Sequence, residues 1–368
     1  MPANSDTKPS ISKKSDTRSQ IQKTDIRSSG RSRATSKEVA VLAGVSQSTV
    51  SRVFNSNWKG SVKKDARDRV LKAAAELNYS PSTIAQIMTS KRSGIIGIII
   101  SKSFDIFYYN VLGILTTMLN DRGYQTMVFT TDPKGKVGDL ITNMVRYQVD
   151  GVIITSSAVT HDLQQTKLDF GIPIVLFNGY LPSLQLSAVC SDNFDGCSQM
   201  ADYLVKVGHT RFAYISTSQS AYRNYAPRQE AFLYGLSRHG IHQCQIADAG
   251  YSYESGAAAA RKLLMSDDYP DAIFCAGDLS ALGAIDVAKE RGLKVGEDIS
   301  ITGFDAPDVV SLPSYDLTVL RQDVHQLSED AINVLLSSIE EEPDTPTLIT
   351  RPMELVLRGS SRPLPPEA

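Results

Sequence analysis

Thr35-Ser-Lys-Glu-Val-Ala-Val-Leu-Ala-Gly44-Val-Ser46-Gln-Ser-Thr-Val-Ser-Arg52-Val-Phe54 carries the signals of two short helices and the turn between them. Thr35 and Glu38 have capping-box spacing: the threonine oxygen accepts from the Glu38 amide while the carboxylate reaches back. Val39, Leu42 and Ala43 fall on one face of the first helix. That helix stops at Gly44, where glycine supplies the positive φ of a sharp turn. Ser46 offers a second N-cap, and Val50 and Val53 are the inward positions of the helix that follows. With small Ala40 at the crossing, the pattern is a helix-turn-helix. The outward positions Gln47, Ser48 and Arg52 can hydrogen-bond base edges in a major groove. Thr35, Ser46, Thr49 and Asn55 are placed to fix phosphates. A third helix is expected from about Lys64 to Leu77, packing through Ala66, Val70, Ala73, Ala74 and Leu77.

Charge supports this reading. Residues 1–93 hold 18 Lys+Arg against 7 Asp+Glu, a balance of +11, and the other 275 hold 20 against 33, a balance of −13. The overall −2 therefore joins a basic head to an acidic body. A basic segment of this size faces a polyanion, and a helix-turn-helix inside it makes that partner double-stranded DNA. Residues 1–34, rich in Ser, Lys and Arg without a hydrophobic period, read as a disordered basic extension.

With 368 residues, 42% hydrophobic and 21% charged, the chain has core material for two or three domains. No apolar run nears the ~20 residues of a membrane helix, and Met1 to Gly30 lacks a secretory apolar region. A cytoplasmic protein is expected, with Cys190, Cys197, Cys244 and Cys275 as reduced, mostly buried thiols.

From Ser93 short Val/Ile-rich runs alternate with helical stretches. Strands are expected at Gly94–Ser101, Gln125–Thr130, Gly151–Thr155, Ile174–Asn178, Arg211–Ser216, Ala272–Ala276 and Ile299–Phe304. Repeated βαβ units make a parallel sheet with helices on both faces. Asp150-Gly-Val-Ile-Ile and Pro270-Asp-Ala-Ile-Phe echo one another, which suggests two similar halves. Ligands of such sheets bind beyond the strand C-terminal ends. Phe107, Tyr108, Asn178, Arg223, Arg228, Asp278 and Asp305 all follow strands. Carboxylates, an arginine and aromatic faces suit a small, hydroxyl-rich effector. No GxGxxG follows the first strand, and no GxxxxGK[ST], HExxH or GxSxG occurs. No catalytic residue, metal site or cofactor is assigned, and His209 reads as structural.

Ala34-Thr-Ser-Lys-Glu-Val-Ala40, Ala43-Gly-Val-Ser-Gln-Ser-Thr-Val-Ser-Arg-Val53, Asn55 and Leu77-Asn-Tyr-Ser-Pro81 resemble the signature of the LacI/GalR family of bacterial transcription regulators. Val189-Cys-Ser-Asp-Asn193, Gly208-His209, Gly277-Asp278-Leu-Ser-Ala281-Leu-Gly283 and Val295 to Asp305 resemble its effector-domain motifs. The resemblance runs from about Thr35 to Gly359. It implies a hinge helix over Ser82 to Ser90, with Ser82, Ala85 and Met88 on DNA. Met88 takes the minor-groove wedge position that is usually Leu. By the same resemblance Phe107, Tyr108, Arg228, Tyr251 and Asp305 line an effector pocket, and the protein is a homodimer on a pseudo-palindromic operator.

The expected fold class is α/β: an all-α helix-turn-helix domain plus a periplasmic-binding-protein-like domain of two doubly wound parallel-sheet subdomains. The expected boundaries are 1–34 extension, 35–80 head, 81–93 hinge and linker, 94–361 body and 362–368 tail. Subdomain one takes 94–190 and 321–350, subdomain two 191–320 and 351–361. Besides Met88, four departures from the family pattern stand out. The loop after the second helix, which holds Trp58, is about two residues longer, and Lys63 replaces a capping Ser or Thr. Gly277 stands where Asn is usual, and Asp316-Leu-Thr-Val319 replaces Pro-Leu-Thr-Thr. A sugar-binding transport protein shares the body's architecture but needs a signal peptide and no helix-turn-helix; a metabolic α/β enzyme needs a catalytic motif.

Overall fold

The computed structural model describes residues 34–54, 60–80, 92–102, 106–132, 135–159, 171–216, 228–250, 252–305, 308–341 and 345–366. The chain forms two compact units, Met1–Ser82 and Thr83–Ala368.

The head holds α1 (Ser36–Ala43), α2 (Gln47–Phe54) and α3 (Lys64–Glu76). The capping box is formed in full: Glu38 N donates to Thr35 Oγ1 at 3.3 Å and Thr35 N to Glu38 Oε2 at 2.7 Å. Gly44 has φ 63°, and Val45 N bonds the Ala40 carbonyl at 3.0 Å, which closes the end of α1. Val39, Ala40, Ala43, Val50, Val70, Ala73 and Ala74 form the core, with Val53, Phe54, Leu77 and Tyr79 against it. The expectation for Leu42 fails, since its side chain is 48% exposed. Val39, Ala40 and Ala43 already make the stripe that α2 and α3 cover, and Leu42 lies outside it. α3 starts at Lys63 without a side-chain cap.

The body repeats one plan twice. In the first half β1 (Ile95–Ser101), α4 (Ile106–Asp121), β2 (Gln125–Thr131), α5 (Val137–Arg146), β3 (Gly151–Thr155), β4 (Ile174–Phe177) and β5 (Ser187–Ser191) follow in order. The second half runs α6 (Asn193–Lys206), β6 (Phe212–Ser216), α7 (Arg228–Arg238), β7 (Cys244–Asp248), α8 (Tyr253–Leu263), β8 (Ala272–Cys275), α9 (Asp278–Glu290), β9 (Ser300–Phe304) and β10 (Thr318–Arg321). The chain then forms α10 (Val324–Glu340), β11 (Leu348–Arg351) and β12 (Glu354–Val356). The strand orders are β11-β5-β4-β3-β1-β2 and β12-β10-β9-β8-β6-β7. Every pairing is parallel except β10 with β12. The chain passes between the sheets after Ser191, between Arg321 and α10, which packs on the first sheet, and after Arg351.

The two halves match in detail. Asp150, just before β3, accepts from the amides of Ser93 and Gly94, both at 2.8 Å. Asp271, just before β8, accepts from those of Thr210 and Arg211 at 3.2 and 2.9 Å. At the other ends, Asn178 N bonds the Val189 carbonyl and Asp305 N the Leu320 carbonyl, at 2.7 and 2.9 Å. Asn178 and Asp305 therefore occupy equivalent places, where β4 and β9 end. Among the described residues, no helix is long and apolar enough to cross a membrane.

Candidate functional site

On the head, Gln47, Ser48, Ser51 and Arg52 form the exposed face of α2. Ser46 N-caps it, Oγ accepting the Thr49 amide at 3.2 Å and meeting the hydroxyls of Ser48 and Thr49 at 2.8 and 2.9 Å. Thr35 is engaged in its own cap, so its oxygen is committed to Glu38. The Thr35 amide and then the Thr35 hydroxyl, both donating to Glu38 Oε2, lower the Glu38 carboxyl from its ordinary value. Gln47 Nε2 donates to Ser36 Oγ at 2.9 Å. This bond ties the start of α2 to the start of α1. The result is a rigid, polar helix face with donors and acceptors at several depths. It matches base-edge chemistry.

On the body, the second half gathers Arg228, Asp278 and Asp305. Arg228 opens α7. Its Nε donates to Asn193 Oδ1 at 2.9 Å and its Nη1 to the Ala276 carbonyl at 2.8 Å. Its guanidinium lies 3.4 Å over the Phe304 ring, a cation–π contact that fixes the plane. Asp278, two residues beyond Ala276, is 4% exposed and accepts the Leu279 amide at 2.6 Å. Asp305, next to Phe304, is 7% exposed with φ 65°, a left-handed backbone that Asp and Asn tolerate. Gln322 Nε2 donates to Asp305 Oδ1, and Gln322 Oε1 accepts from Ser191 Oγ at 2.7 Å. One buried amide thus joins the ends of β5 and β9 across the two sheets.

The first half contributes Asn178, Phe107 and Tyr108. Asn178 is 7% exposed with φ 57°, and its buried Oδ1 has no hydrogen-bond partner among the described residues. A buried amide oxygen left so is costly unless a donor reaches it. Phe107 and Tyr108 meet edge to face at 5.0 Å and pack into the core of this half. The Tyr108 hydroxyl bonds Ser156 beyond β3. Asn55, Ser82, Ala85, Met88, Arg223 and Tyr251 lie outside the described residues.

Ser191, Asn193 and Gln322 belong to this arrangement and were not singled out as site residues from sequence. Asn193 ends one of the motifs quoted above. Ser191 ends β5 and Gln322 follows β10, strands that carry no Val/Ile run, and an uncharged side chain gives no signal of its own.

Ser300, His209 and Asp271 also line up, with His209 Nε2 2.7 Å from Ser300 Oγ and Nδ1 3.5 Å from Asp271. They sit where β6, β8 and β9 begin, at the end away from Asp305. His209 is 2% exposed, and Ser300 Oγ already accepts the Arg362 amide at 3.0 Å. No substrate reaches them, so the cluster seals the sheet. Burial alone would raise the Asp271 carboxyl, but the nearby His209 ring and hydrogen bonds from the Arg211 and Thr210 amides prevail and hold it at about 2. Among the described residues no group of His, Cys, Asp or Glu has metal-holding geometry.

Residues 35–82 match the model of the bacterial regulatory proteins of the lacI family, and residues 201–361 match the periplasmic binding protein-like domain. The HTH-type transcriptional repressor CytR of Escherichia coli (strain K12) is 31% identical over 336 residues, 90% of this chain and 97% of that protein. The lac repressor dimer bound to operator and the anti-inducer ONPF superposes with a TM-score of 0.77 at 25% identity, over 90% of this chain and 100% of that one. The complex of the transcriptional regulator CelR with cellobiose gives 0.66 at 28% identity, over 89% and 100%.

Proposed function

The chain belongs to the LacI family of bacterial regulatory proteins, and from that premise we propose how its residues divide the work. It is a DNA-binding transcription regulator of the repressor type and not an enzyme. Gln47, Ser48 and Arg52 read base edges, while Ser46 and Thr49 hold phosphates from the start of α2. Thr35 contributes through its cap, which presents the amides of α1. Asn55 extends the phosphate contacts, and Ser82, Ala85 and Met88 form the hinge contact, with Met88 as the minor-groove wedge. Two chains pair as a homodimer, as the lac repressor does on its operator, and read a pseudo-palindrome. The head spans 35–80, the hinge and linker 81–93 and the body 94–361, and the protein works in the cytoplasm.

The body senses a small carbohydrate-like effector between its halves. The Asn178 oxygen, without a hydrogen-bond partner among the described residues, carries this reading: it needs a donor, and a ligand hydroxyl supplies one. Arg228, Asp278 and Asp305 face the same ligand with a fixed guanidinium and two carboxylates, suited to adjacent hydroxyls. Arg223 and Tyr251 complete the rim, and Phe107 and Tyr108 close the apolar side. A thermal-shift series with cellobiose, sucrose, D-ribose and D-gluconate tests it. A ligand present at 100 times its Kd adds about 2.7 kcal/mol of stability. The expected result is a saturable shift with at least one of them, lost in Arg228→Ala and Asp305→Ala. A shift that survives both substitutions places the ligand elsewhere.

A further inference from the structure

The linker that carries the head enters the body at Arg92-Ser93-Gly94. Asp150 takes the Ser93 amide at 2.8 Å, the Ser93 hydroxyl at 3.2 Å and the Gly94 amide at 2.8 Å. Arg92, exposed, donates Nη2 to the Ile339 carbonyl at 2.8 Å. Ile339 stands in the last turn of α10. Carbonyls there lack partners within the helix and carry the negative end of its dipole, so a guanidinium seals them well.

α10 has 17 residues, about 25 Å of helix at 1.5 Å per residue, and its two ends serve different places. The C-terminal end holds Arg92. The N-terminal end starts two residues after Gln322, whose carbonyl accepts the Val324 amide at 3.0 Å and whose side chain bridges Ser191 and Asp305. The matching place in the second half has Asp271 on Thr210 and Arg211, with Arg211 Nε on the Tyr269 carbonyl at 2.8 Å. No head hangs there.

We propose that Arg92 is a positioning residue for DNA binding, tying the root of the linker to α10, and that α10 carries the state of the Asp305 end to that root. The inference rests on the DNA-reading function above. A tied root restricts where the head can be, and a loose root adds entropy that binding must remove.

Full-length wild type, Arg92→Ala and Arg92→Lys are titrated by fluorescence anisotropy against a duplex that the wild type recovers from a random-sequence pool. Arg92→Ala is expected to lose about five- to tenfold in affinity with an unchanged salt slope, and Arg92→Lys to recover most of the loss. An unchanged affinity in Arg92→Ala overturns the proposal. So does a salt slope lower by about 1, which makes Arg92 a phosphate contact. Gln322→Met tests the far end. Its effect on DNA affinity is expected to shrink in the Arg92→Ala background, and losses that simply add mean that α10 transmits nothing. Asp271→Asn, at the matching place, is expected to lower the melting temperature and leave DNA affinity within about twofold. An equal loss of affinity there shows general loosening and overturns the proposal. Failure of the wild type to enrich any duplex removes the DNA-reading function itself, a different outcome.

Discussion

Arg228 commits two donors to Asn193 and Ala276 and lays its plane on Phe304, so orientation as well as charge defines its role. Lysine offers neither the fork nor the stacking plane. Arg228→Lys is therefore expected to lose a carbohydrate-induced thermal shift as fully as Arg228→Ala, and a retained shift refutes the placement. Asp271 acts on stability alone. Its carboxyl, held at about 2 against about 3.9 unfolded, stabilises the fold above the unfolded value. That contribution, on the order of 2 kcal/mol, is lost as pH falls from about 4 to about 2. Asp271→Asn is expected to melt lower than wild type at pH 7, with the gap narrowing below pH 4; a gap independent of pH contradicts the assignment. Burial pushes the Cys190 thiol up to about 11 and those of Cys197 and Cys244 to about 12, and Cys275 higher still. Slow reaction of all four with a thiol reagent at pH 8, accelerating on unfolding, is the expected outcome. Arg228, Asp278 and Asp305 were legible because each charge follows a strong strand signal. Gln322, which holds Asp305, was not: an amide beside a weak strand looks like any loop residue.

At the level of elements, capping chemistry made α1 and α2 readable from sequence, because Thr35, Glu38, Gly44 and Ser46 each have one natural place in a helix pair. Gly44 at φ 63° makes Gly44→Ala cost about 1–2 kcal/mol, seen as a lower melting temperature of the head. The Ile and Val runs of β1 and β3 were equally plain. The strands β5, β7, β10, β11 and β12 were not among those expected. β7 is an edge strand of Cys-Gln-Ile-Ala-Asp, largely open to solvent, and β12 has three residues. Buried β5 is Ser-Ala-Val-Cys-Ser, and its single Val is not the β-branched run that marks a parallel strand. Such strands owe their place to a neighbour already in the sheet. The α8–α9 contact is also invisible in sequence. A Cβ on Gly256 would meet the Ser280 backbone at 2.3 Å, and one on Gly283 the Tyr253 carbonyl oxygen at 2.3 Å. Helix propensity favours alanine there by up to about 1 kcal/mol, but overpacking against backbone costs about 1–3 kcal/mol or more. Gly256→Ala is expected to destabilise the body in urea unfolding, and a stabilised variant contradicts the contact.

Across the whole molecule, opposite charge separates the two tasks: the extension, head and linker of residues 1–93, at +11, seek DNA, and residues 94–368, at −13, avoid it. The repeat explains why the cleft draws on distant sequence. Asn178 and Asp305 are 127 residues apart, yet they end equivalent strands, and Gln322 ties one end to the crossing chain. Periodicity revealed two halves; it did not reveal which uncharged residues stitch them. The most direct test of the account is selection of bound duplexes by the full-length protein from a random pool, followed by a salt titration of the winner. The expected result is an enriched pseudo-palindrome with affinity falling about 10³–10⁵-fold from 50 to 200 mM salt, as for a protein neutralising about 6–10 phosphates. No enriched sequence, or an affinity indifferent to salt, contradicts it.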